Sequence, residues 1–67
     1  MAKWYVRSGE LRTIIIAETP MDAGVNAIRK AAPGTKLAKV TIIGERGFDN
    51  NHDDDLLILT EYVLALI

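Results

Sequence analysis

No cysteine occurs in this chain of 67 residues. Disulfides, thiolate metal sites and cysteine nucleophiles are thereby excluded. The lack of thiols fits a reducing compartment. Serine and histidine occur once each, as Ser8 and His52. No G-x-S-x-G elbow surrounds Ser8, and a zinc site built on three or four spaced ligands finds a single imidazole. Lysine and arginine are absent after Arg46. Long hydrophobic runs are absent too. The most apolar stretch, 56–67, is interrupted by Thr60 and Glu61 and falls short of the roughly 20 residues a helix needs to cross a bilayer. The opening MAKWYVRSGELR has no apolar signal-peptide core. The expectation is a soluble cytoplasmic protein with no membrane partner.

What is present fits a single small domain, residues 1–67. A chain of this size buries only about 60% of its unfolded surface, so its core is marginal without help. Disulfides being excluded, oligomerisation is the simplest help available. An apolar fraction of 49% argues against disorder. The net charge of −1 conceals a split. Residues 1–46 hold all eight Lys and Arg against four acids, giving +4, while residues 47–67 hold five acids and no base, giving −5. Such charges usually just solvate separate loops. A basic region facing an acidic partner, or two copies pairing head to tail, is the sharper reading.

Lys3 to Glu18 has the pattern of a β-hairpin with Ser8-Gly9 as its turn. That register pairs Arg7 with Glu10, Val6 with Leu11, Tyr5 with Arg12 and Trp4 with Thr13. One face then collects Trp4, Val6, Leu11, Thr13, Ile15 and Ala17. The other holds Tyr5, Arg7, Glu10, Arg12, Ile14, Ile16 and Glu18. Two isoleucines do not belong on a solvated face, so Ile14 and Ile16 are covered within the chain or by another chain.

Thr19-Pro20-Met21-Asp22 starts a helix, with Thr19 as cap, Pro20 at the first helical position and Asp22 at the capping-box position. Met21, Gly24, Val25, Ile28 and Ala31 or Ala32 form the expected buried stripe. Gly24 on that stripe implies close approach to a sheet. Arg29 and Lys30 suit the helix C-terminus, and Ala32-Pro33-Gly34 ends it. Leu37 to Glu45 reads as a third strand, with Ala38, Val40 and Ile42 on one face and Lys39, Thr41 and Ile43 on the other. Leu56 to Leu59 is a fourth. TEYVLALI suits both strand and helix; we read a strand followed by a short helix, with Thr60 available as its cap.

FDNNHDDD, residues 48–55, concentrates four aspartates, two asparagines and the histidine. Oxygen-rich loops suit hard cations. Counted from Asp49, however, the glycine an EF-hand needs at its sixth position is Asp54, and the glutamate at its twelfth is Thr60. Adjacent aspartates on an extended chain point to opposite sides and make no acid–base pair. The stretch reads as a strand connection whose acids guard the apolar LLIL that follows. No metal, cofactor or catalytic residue is assigned, and the expectation is that the protein is not an enzyme. A chain this short also has difficulty enclosing a substrate.

Arg29, Lys30, Lys36 and Lys39 cluster around the helix end and the following strand, as a phosphate-contacting patch would. The hairpin followed by Thr19, Asp22, Ala23 and Ala27 resembles the strand-to-helix junction of HicB-type antitoxin domains. That resemblance implies a regulatory nucleic-acid contact, although this chain lacks a third strand before the helix.

The expected fold is α+β: a ββαββ chain forming a four-stranded, mostly antiparallel sheet with one helix on one face, and a possible short C-terminal helix. The expected core is Trp4, Val6, Leu11, Ile15, Val25, Ile28, Val40, Ile42 and Leu59. One helix cannot cover both faces of such a sheet. Ile14, Ile16, Ile43, Tyr62 and Leu66 are therefore the expected interface of a non-enzymatic interaction module, a homodimer or the subunit of a small complex.

Overall fold

A computed structural model of the chain describes residues 1–48 and 54–67. Six elements follow in the order β1 (Ala2–Ser8), β2 (Leu11–Ala17), α1 (Pro20–Lys30), β3 (Val40–Gly44), β4 (Leu56–Leu59) and α2 (Thr60–Ala65). The strands make one antiparallel sheet in the order β2-β1-β3-β4. The chain is thus the expected ββαββ α+β fold, closed by a short C-terminal helix.

The hairpin turn falls one residue later than its Ser-Gly signal suggests. Ser8 pairs with Leu11, leaving Gly9 and Glu10 as the two-residue loop. Gly9 has φ +61°, as the first position of a II′-type turn requires. The pairing shifts by two residues relative to the expected register, so every side chain keeps its face. The expected Arg7–Glu10 pair is replaced by Arg7 opposite Arg12. Glu10 turns instead to the chain before β3: its amide donates to the Lys36 carbonyl at 2.8 Å, and its Oε1 accepts from the Lys36 amide at 3.1 Å.

α1 begins as its sequence dictates. The Asp22 amide donates to Thr19 Oγ1 at 3.1 Å, and Pro20 stands in the first turn. The buried residues are Ala23, Gly24 and Ala27, whereas Met21, Val25 and Ile28 are half-buried flanks. The small residues win the centre because they let the helix lie close. A methyl group added at Gly24 would stand 2.9 Å from Ile43 Cδ1.

β3 departs most from expectation. It is shorter than the 37–45 stretch, and its faces are reversed. Ile43 pairs with Val6, and Val6 belongs to the helix-covered face. Thr41 and Ile43 are therefore inside at 0% exposure, while Val40 and Ile42 point away. Leu59, opposite Val40, follows it outward. Val40, Ile42 and Leu59 thus leave the expected core. Val6, Leu11, Ile15, Ala17, Ala23, Ala27 and Ile43 form it, with Trp4, Ile28, Leu37, Leu56 and Ile58 packed at its margin. Val63 of α2 is fully buried beside Gly24.

Thr41 can be buried because its hydroxyl is satisfied. Thr60 Oγ1 donates to the Ala38 carbonyl at 2.7 Å. Having one proton, it accepts from Thr41 Oγ1 at 2.8 Å. Ser8 Oγ lies 3.3 Å from Thr60 Oγ1 and accepts from the Ala38 amide at 3.1 Å. This hydroxyl cluster ties β1, the 38–40 segment and the start of α2 together. It also explains why Thr60 is not the helix cap: Leu59 holds that position without a side-chain bond, and the Thr60 side chain faces inward.

Candidate interaction face

Strand alternation and register together define the second face of the sheet. β2 supplies Arg12, Ile14 and Ile16; β1 supplies Lys3, Tyr5 and Arg7; β3 supplies Val40 and Ile42; β4 supplies Leu57 and Leu59. In rows across the strands, Ile16 stands beside Lys3, and Ile14 beside Tyr5. Arg12, Arg7, Ile42 and Leu57 form the next row, and Val40 and Leu59 the last. α1 packs on the opposite face over Ile43, and α2 packs against α1. Neither helix covers this one. Ile14 is 48% exposed, Ile16 66%, Leu57 63% and Leu59 43%. Large aliphatic side chains at that exposure on one sheet form the apolar patch expected of an interaction surface.

The charges on these strand positions are all positive. Lys3 Nζ lies 5.3 Å from the Tyr5 ring centroid, and the Tyr5 ring meets Phe48 edge-to-face at 5.1 Å. Arg7 donates to the Phe48 carbonyl. Arg12, directly opposite Arg7, makes no hydrogen bond or ion pair with a described residue. Like charges directly opposite on a sheet disfavour the pairing, and the bond from Arg7 to the Phe48 carbonyl offsets part of that cost. A shallow concavity of about 260 Å³ lies between the arginines, Val40 and Ile42.

No family model, curated protein or solved structure matches the chain. Its functional reading rests on the face itself.

The residues expected at an interface separate into three groups. Ile14 and Ile16 lie together on the bare face. Tyr62 and Leu66 are exposed on and just beyond α2, which belongs to the helical side. Ile43 is the correction: it is fully buried under Gly24 and is unavailable to any partner. Leu57, Leu59, Val40 and Ile42 were missed as face residues. Polar Lys39 and Thr41 made their side of β3 look outward, and no local signal reveals that Thr41 is paired inside. Arg29, Lys30, Lys36 and Lys39 are exposed, and none makes an ion pair with a described residue. Lys39 borders a concavity of about 510 Å³ with Leu37, Leu59, Glu61 and Leu64.

The cation-loop positions Asp49, Asn50, Asn51, His52 and Asp53 lie outside the described residues. Beside them, Arg46 Nε and Asp54 Oδ2 approach to 3.6 Å on the surface. Among the described residues no helix is long and apolar enough to cross a membrane. The hydroxyls of Ser8, Thr41 and Thr60 are close, but the groups bonded to them are carbonyls, an amide and each other. With no general base in that set, their chemistry is structural.

Proposed function

We propose that the chain is a cytoplasmic, non-enzymatic interaction module that associates through the uncovered face of its sheet, as a homodimer or as the subunit of a small complex. The observation that carries this is the joint exposure of Ile14, Ile16, Leu57 and Leu59 on a face no helix covers. A core whose buried aliphatic residues are mostly small or medium-sized gains from surface buried between chains. Sedimentation equilibrium at micromolar concentration tests it. A dimer or higher species that Ile16→Lys dissociates is the expected result. A wild type that stays monomeric alone and in the presence of its co-purifying proteins sinks the reading.

A second reading is supported by a different observation. Arg29, Lys30, Lys36 and Lys39 are exposed without ion-pair partners, as a phosphate contact would need. The expected result is binding to mixed duplex or single-stranded nucleic acid at low salt, with affinity falling as salt rises. No binding at low salt removes it.

A further inference from the structure

We infer that a second copy of this chain docks along the free edge of β2, antiparallel, with Ile15 on the two-fold axis; this rests on the homodimer reading above and narrows its contact from the whole uncovered face to the Ile14 and Ile16 margin of that face. Among the described residues β2 has β1 as its single neighbour in the sheet. In a hairpin closed by two residues, Ser8 and Leu11 bond to each other across the ladder, and bonded pairs then alternate. Val6–Thr13, Trp4–Ile15 and Ala2–Ala17 are the next bonded pairs of this register. The amides and carbonyls of Arg12, Ile14 and Ile16 therefore point outward, and no backbone bond to another described element satisfies them.

Sheet edges are usually blunted by shortness, proline, bulges or inward charge. β4, the other edge, has four residues and comes directly after an aspartate run. β2 has seven, LRTIIIA, without proline or glycine and with an unbroken register. It is the edge left available.

Charge and shape choose the register. β2 ends at Ala17 and the chain bends at Glu18 and Thr19; alternation carried one residue past the strand puts Glu18 on the face of Arg12, Ile14 and Ile16, and the Thr19 backbone is extended. Glu18, like Arg12, makes no ion pair or hydrogen bond with a described residue. With Ile15 on the axis, Arg12 meets the partner's Glu18, Ile14 meets the partner's Ile16, and the two-fold repeats both pairs. Moving the axis to Ile14 sets Arg12 against the partner's Ile16 and loses the charge pair. Cross-strand pairs of opposite charge and of branched aliphatics stabilise a sheet, and like charges oppose it.

Charge exchange tests the geometry. Arg12→Glu and Glu18→Arg each turn the Arg12–Glu18 contacts into repulsions. Each alone should weaken the dimer by about tenfold or more, with the monomer's unfolding midpoint not lowered, because both side chains are exposed and Arg12→Glu also relieves the Arg7–Arg12 repulsion. An equimolar mixture of the two variants restores opposite charges at both contacts and should restore wild-type association. As a second measurement on the wild type, the amides of Arg12, Ile14 and Ile16 should gain protection from hydrogen exchange as concentration rises. A wild-type dimer that survives both substitutions, or weakened variants that do not recover on mixing, overturns this geometry while leaving self-association standing. So does a dimer whose three amides stay unprotected. A wild type that remains monomeric overturns this geometry and the homodimer reading together.

Discussion

Two residues illustrate how much one atom decides. Gly9 combines φ +61° with backbone crowding: a methyl group there would stand 2.6 Å from the Lys36 carbonyl oxygen. Gly9→Ala should therefore cost about 1–3 kcal/mol, from the left-handed conformation and the displaced 36–38 segment together. Urea unfolding measures this, and an unchanged midpoint would refute the close approach. Thr60 is the second. Thr60→Val keeps shape but leaves the Thr41 hydroxyl and the Ala38 carbonyl without their best partner. The expected loss is about 1–3 kcal/mol. Thr60 was legible as a residue near the start of a helix. Its inward role was not, because nothing in the local sequence says that Ala38 lies within 2.7 Å.

At the scale of elements, α1 was the most legible. Its cap, its proline and its stop are local chemistry, and the structure uses all three. Its contact face was less so, since hydrophobicity favours Met21 and Val25 while the sheet needs the small Ala23, Gly24 and Ala27. Gly24→Val should destabilise by about 1–3 kcal/mol through overpacking against Ile43, despite valine's better helix propensity. β3 gives the contrasting lesson. Two alternating sets, Val40 with Ile42 and Thr41 with Ile43, competed for the inside, and pairing with Val6 chose the second. Ile43→Ala should cost about 2–5 kcal/mol and Ile42→Ala well under half of that in the same thermal-unfolding series. Equal losses would contradict the reversed faces.

For the whole molecule, the consequence is a sheet covered on one side only. Ile16→Lys and Leu57→Lys each place a charge where no internal packing is lost. Monomer stability should stay within about 0.5 kcal/mol of wild type, while binding of an apolar fluorescent dye falls; association weakens for Ile16→Lys, beside the β2 edge, and stays unchanged for Leu57→Lys on the opposite edge strand. A large loss of monomer stability would mean that the face is covered within the chain. The surplus of apolar residues was readable as a problem, and Ile14 and Ile16 were located correctly. The extent of the bare face was not, because Leu57 and Leu59 join it only through the β3–β4 register.

Local chemistry by itself determined the hairpin, the capped helix and the fourth strand, while it left residues 60–67 open between strand and helix until the fold made Thr60–Ala65 helical. It also determined which hairpin side chains share a face, because a two-residue change in pairing preserves alternation. Tertiary structure alone decided which side of β3 is buried, which residues of α1 touch the sheet, and that β2 has no outer neighbour among the described residues. These depend on partners far along the chain: Val6 against Ile43, Thr41 against Thr60, Gly24 against Ile43. Turns and caps are settled by neighbours within a few residues, whereas a strand that could bury either face is settled by whatever it meets.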